Sequence, residues 1–143
     1  MRKRSFWRGL LIGLGVTLLT MVLVPMLIAG MRYAYFAIQG VQASSVSNDT
    51  FMAPLSVEWT ILQVLAFVGA IASGFSAARW SKRGAWAAPC VLAILWLGLS
   101  AFDPPPFESN VVWLMYITYS SIGYMVGAVL YKKKFEHLES DPA

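Results

Sequence analysis

What this chain lacks is charge where most of its residues lie. Between the ends of four long apolar runs, Gly9–Gly30, Val57–Ala78, Ala85–Phe102 and Val111–Tyr131, it has no Asp, Glu, Lys, Arg or His (Glu58 stands at the rim of the second). Charged residues make up 13% of the whole, against about 25% in a soluble domain. Ionisable groups inside a membrane mark proton relays and ion-coupled transport, so their absence argues against a proton-coupled pump or antiporter. It also removes the usual metal ligands and acid–base pairs from these runs. The expectation is therefore no metal, no cofactor and no catalysis. A single cysteine, Cys90, excludes an intramolecular disulfide and dithiol redox chemistry. Beside Pro89 it reads as a small apolar filler. The one histidine, His137, stands in a C-terminal tail and reads as solvated. There is no Ser/His/Asp set, no CxxC pair and no phosphate-cradling glycine loop.

What is present is hydrophobicity, 58% of 143 residues. A helix crosses a bilayer in about 20 apolar residues, with about 17 the lower limit, so each run qualifies as a span, the third narrowly. The expected fold is an all-α integral membrane protein. It is a four-transmembrane-helix bundle, up-down-up-down, forming one domain over residues 1–143. Outer loops fall at 31–56 and 103–110, a cytoplasmic loop at 79–84 and a cytoplasmic tail at 132–143. Charge sets the orientation. Arg2, Lys3, Arg4, Arg8, Arg79, Lys82, Arg83, Lys132, Lys133 and Lys134 all fall on one side, and of eleven cations only Arg32 falls on the other. The positive-inside rule puts both termini in the cytoplasm. Asp49, Glu58, Asp103 and Glu108 lie on the outer side. The net charge of +4 is thus the sum of two opposite poles; it anchors topology and meets anionic lipid head groups rather than nucleic acid. The expected location is the plasma membrane, the inner membrane in a bacterium.

The start, MRKRSFWRGLL, has the charge of a signal-peptide leader, but the apolar run behind it exceeds the roughly 7–15 residues of a leader core. An uncleaved first span is expected. Pro25 removes one hydrogen bond and predicts a bend in its outer half. MRYAYFAIQ keeps an amphipathic pattern that lets the helix continue towards Gly40, with Tyr33, Tyr35 and Phe36 at the interface. Asn48-Asp49-Thr50 matches the N-glycosylation pattern on the outer side. Pro104-Pro105-Pro106 reads either as a stiff extended strut or as a plain helix stop.

The second run is the expected packing hub. On a helical wheel Gln63, Ala66, Ala70, Ser73, Gly74 and Ala77 share one face, and Ile61, Val64, Val68, Ile71 and Phe75 the opposite one. Small residues let backbones approach, while bulky aliphatics suit lipid. In the fourth run Trp113, Tyr116, Ser120, Gly123, Tyr124, Gly127 and Tyr131 share a face, with Ile122, Met125 and Val129 opposite. Gly9-xxx-Gly13 and Gly123-xxx-Gly127 add the small-xxx-small pattern. These positions fall in the cytoplasmic half, where helix contact should be tightest, either within one monomer or against a second copy or partner. In the outer half Gln63, Tyr116, Tyr119 and Ser120 cluster. A buried amide needs a partner, and the Tyr116 hydroxyl or a backbone carbonyl is expected to supply it. Alternatively, these residues line a polar groove open to the outside.

The functional expectation is a non-catalytic accessory or assembly subunit, or a homo-oligomeric scaffold, acting through its small-residue helix faces. Its partners are the bilayer and another membrane protein or itself. The alternative is a small transporter or channel. In outline, four spans in a short chain, the sequence resembles the small multidrug-resistance exporters. That family centres on a membrane-embedded glutamate in its first span, and GLLIGLGVTLLTMVLVPMLIAG has none, so no residue role carries over. An intramembrane lipid enzyme would have to use Glu58, Arg79, Lys82 and Asp103, which are split between opposite faces of the membrane.

Overall fold

The computed structural model describes residues 5–40, 57–81, 86–102 and 110–139, at 58, 110–113, 116 and 136–139 for the backbone only. Among them are four helices and no strand: α1 (Phe6–Gln39), α2 (Val57–Trp80), α3 (Ala87–Phe102) and α4 (Asn110–Glu139). Residues 41–56 and 103–109, and with them the sequon and the triple proline, lie outside the described residues.

Local chemistry explains the helix ends. Ser5 caps α1, its hydroxyl accepting from the Arg8 N–H at 3.2 Å. At the other end Gly40 adopts φ 65°, the left-handed conformation that glycine enters without a Cβ penalty, and stops the helix. Residues 31–39, counted with the outer loop by hydropathy but carrying the pattern expected to extend the helix towards Gly40, are helical, because nothing before Gly40 breaks that pattern. Pro25 sits inside this continuous helix. Pro89 falls in the first turn of α3, where a missing N–H leaves no bond unmade. Likewise α4 continues through Lys132–Lys134, expected in the tail, to Glu139.

Helix directions follow from the contacts. Gly9 lies against Ser81 and Ala77, Gly13 against Ala77 and Ser73, and Gly69 against Thr20, so α1 and α2 are antiparallel. The Ser5 N–H donates to the Trp80 carbonyl at 3.1 Å and ties these two ends together. Gly123 meets Ala70 and Phe67, and Gly127 meets Ile71 and Phe75, so α2 and α4 are parallel. Cys90 approaches Met125 at 3.7 Å and Trp86 packs on Ala128 and Tyr131, which runs α3 against α4. Leu92 of α3 reaches Gly13. Helix α2 touches all three others.

Two of the bulky positions assigned to lipid belong to contacts instead. Phe75 is half-buried in an aromatic cluster with Tyr131 and Phe135, its ring centroid 5.6 Å from that of Tyr131. Met125 faces Cys90. Both sit on the flank of a face whose centre is glycine: once Gly74 and Gly127 draw α2 and α4 together, the neighbouring side chains are enclosed as well.

Much of the remaining apolar surface is outside: Leu18, Val22 and Met26 of α1, Val64 and Val68 of α2, Leu99 of α3 and Ile122 of α4 are exposed. By length and composition α1 and Trp59–Trp80 of α2 are able to cross a membrane. Helix α3 is shorter, at 16 residues, about 24 Å at 1.5 Å per residue against the roughly 30 Å of a bilayer core.

Candidate functional site

Where α1, α2 and α4 meet, three hydroxyls converge. Ser73 donates to the Gly13 carbonyl across the α1–α2 contact at 2.7 Å. Thr17 stands 2.9 Å from the Ser73 hydroxyl, 3.2 Å from the Tyr124 hydroxyl and 3.1 Å from the same Gly13 carbonyl. Proton counting orders the chain. The Ser73 proton is committed to the carbonyl, and the Thr17 proton lies between that carbonyl and Ser73. Tyr124 is therefore the donor to Thr17, and its own oxygen keeps its acceptor capacity.

Beyond this cluster, away from the helix ends that bear Arg8, Arg79 and Lys132–Lys134, the bundle encloses a half-open cavity of about 250 Å³. Thr17, Thr20, Ala66, Trp96, Ser120 and Tyr124 are among its walls, and Met21 and Pro25, both exposed, stand at its edge. Its wall is mostly apolar. The polar exceptions differ in kind. Thr17 and Thr20 bond back to carbonyls four residues earlier, Thr20 to Val16 at 2.8 Å. Ser121, the neighbour of Ser120, does the same with Ile117 at 2.8 Å. Ser120 does not: it is 3% exposed and its hydroxyl has no hydrogen-bond partner among the described residues.

Of the residues expected to form a polar groove, Gln63, Tyr119 and Ser120 have described side chains. Ser120 lines the cavity. Gln63 is buried, its amide nitrogen without a hydrogen-bond partner among the described residues, and is not part of the cavity wall. Tyr119 turns to the other flank of α4, 40% exposed, and stacks on Phe67 with centroids 4.1 Å apart. The Tyr116 side chain, and so its expected bond to Gln63, lies outside the described residues.

Of the small packing positions, Gly9, Gly13, Ala70, Ser73, Gly74, Ala77, Gly123 and Gly127 are buried and Ala66 is half-buried. A Cβ on Gly74 would strike the Tyr124 backbone, and one on Gly127 the Ile71 backbone. Of the cations named as anchors, Arg8, Arg79, Lys132, Lys133 and Lys134 are exposed at one end of the bundle, while Arg2, Lys3, Arg4, Lys82 and Arg83 lie outside the described residues. Comparison with protein-family models, curated proteins and solved structures finds no match for this chain.

Sequence reasoning missed Thr17 and Thr20. The signal was present: Gly13, Thr17, Thr20 and Val24 recur at helical spacing on one side of α1, and threonine in an otherwise apolar run requires a hydrogen-bond partner.

Proposed function

We propose that the chain is a non-catalytic, multi-pass protein of the plasma membrane, crossing it with four helices and keeping both termini in the cytoplasm. It acts by association, as an accessory or assembly subunit or as a scaffold of several copies. The observation that carries this reading is a girdle of exposed Leu, Val, Ile and Met around the bundle, combined with exposed cations at one end. Lipid accommodates the first and the positive-inside rule orients the second. The surface for association is the outer side of α1 and α3 rather than the glycine faces, which are occupied within the monomer. Around Gly15 of α1 and Gly98 of α3 there is open space, next to exposed Leu18 and Leu99.

Reporter fusions after Ala143 and within residues 41–56 test the topology: a cytoplasmic signal from the first and an exterior one from the second are expected. The reverse pattern refutes it. Native mass spectrometry from lipid nanodiscs tests the association. A defined oligomer or a stoichiometric partner supports it, and a bare monomer at all concentrations removes it.

The cavity favours a second reading, a small carrier or channel. Solute movement in proteoliposomes, lost in Ser120→Leu, would establish it; the variants Gln63→Leu and Tyr116→Phe then show how far its path extends.

A further inference from the structure

The cavity, walled by α1, α2 and α4 and by Trp96 of α3, has a chemistry more specific than a void. Its two relevant polar atoms are on one helix, Ser120 and Tyr124, four residues apart and hence on one face. Both belong to the cavity wall. The Ser120 hydroxyl is buried with no hydrogen-bond partner among the described residues, so its proton and lone pairs are unspent. Tyr124 has given its proton to Thr17 and keeps an acceptor. Together they offer one donor–acceptor and one acceptor, the complement of a hydroxyl group that accepts from Ser120 and donates to Tyr124.

Water fills this space badly: a buried water typically makes about three hydrogen bonds, and apart from Ser120, Tyr124, the two threonines and the Trp96 indole the volume is walled by apolar groups such as Met21, Pro25, Leu62 and Ala66. An alkyl body fills that space favourably. Size follows from comparison: an apolar cavity of about 150 Å³ takes benzene, with six heavy atoms, so about 250 Å³ takes roughly ten.

We infer that this cavity is a binding site for a neutral aliphatic alcohol of about ten heavy atoms, its hydroxyl held between Ser120 and Tyr124 and its chain lying along Ala66 and Trp96. The edge at Met21 and Pro25 is the entrance. Binding here requires neither transport nor a protein partner, so it stands or falls apart from both readings above.

The test uses the full chain in nanodiscs with 8-bromo-1-octanol, whose bromine quenches tryptophan fluorescence, and 1-bromooctane as the probe without the hydroxyl. Expected is a saturable component of quenching by the alcohol that disappears in Trp96→Phe. In Ser120→Ala the alcohol binds about five- to tenfold more weakly while 1-bromooctane is unchanged. Ala66→Phe, which fills the space, should abolish the saturable component for both. Ser120→Ala keeps the experiment decisive should the larger side chain prevent folding. Quenching that never saturates, equal binding of the two probes, or an alcohol affinity indifferent to Ser120→Ala overturns the assignment.

Discussion

The two halves of this bundle use the same small residues to opposite ends. Towards the exposed cations, Gly9, Gly13, Gly74 and Gly127 each have a neighbouring helix within the reach of an absent Cβ, and Ala77 is wholly buried between them. In the other half, contact persists at Gly69 with Thr20 and at Gly123 with Ala70, but Ala66 and Ala70 also form part of a cavity wall. Small side chains permit close approach; they do not compel it. What draws the helices together at the closed end is extra binding: Ser73 to the Gly13 carbonyl, Ser5 to the Trp80 carbonyl, and the Phe75–Tyr131–Phe135 cluster. In the half where alanines face a serine without a partner, the space stays open.

The sharpest way to break this contrast is to give a glycine a side chain in each environment. Gly74→Leu drives atoms into the Tyr124 backbone, which yields only if α4 moves as a body. Its expected cost is about 3 kcal/mol or more, beyond the usual overpacking range, seen as a large fall in the thermal midpoint in detergent. Gly15→Leu, with nothing within 4 Å of its Cβ, should shift stability by no more than about 0.5 kcal/mol. Equal effects would mean that the α2–α4 contact is not the closed interface described.

Alanine gives a second, smaller comparison. Ala77→Leu overfills a site with no exposed surface and should lose about 2 kcal/mol. Ala66→Leu grows into the cavity and should be neutral or stabilising by up to about 1 kcal/mol, since filled volume is worth about 24 cal/mol per Å³. Thermal unfolding of the pair, read by far-ultraviolet circular dichroism, gives the sign. A loss at 66 as large as that at 77 would show the cavity to be closed in solution.

How much of this was legible beforehand depends on the interaction. The helices were, because long uncharged runs leave the backbone little alternative to bonding itself. The burial of Ala70, Ser73, Gly74 and Ala77 in α2 follows a 3.6-residue spacing, which is a property of the chain alone. The continuation of α1 towards Gly40 was legible in the pattern of MRYAYFAIQ, while that of α4 through 132–139 was missed, because hydropathy reports where lipid is tolerated and not where a helix ends. The hydroxyl cluster was missed because it joins Thr17, Ser73 and Tyr124 from three helices, a coincidence that no single run displays. Tyr119 and Ser120 stand one step apart on the wheel, and that shift of about 100° separates a half-exposed flank from a buried cavity wall.

The hydroxyls divide the two halves most finely, and here the effects are smallest. Thr17→Val keeps the shape but cuts Tyr124 from the chain leading to Gly13. It should destabilise by about 1 kcal/mol, the scale of a polar contact between helices in a membrane. Ser120→Ala removes a hydroxyl that has no described partner to lose. An unsatisfied buried group carries a desolvation cost, so without ligand its removal should leave stability unchanged or raise it by up to about 1 kcal/mol. The comparison turns on sign. A fall in the thermal midpoint of Ser120→Ala in ligand-free protein would mean that its hydroxyl already spends its bond within the bundle. The open half would then be as self-satisfied as the closed one, and what distinguishes them would be volume alone.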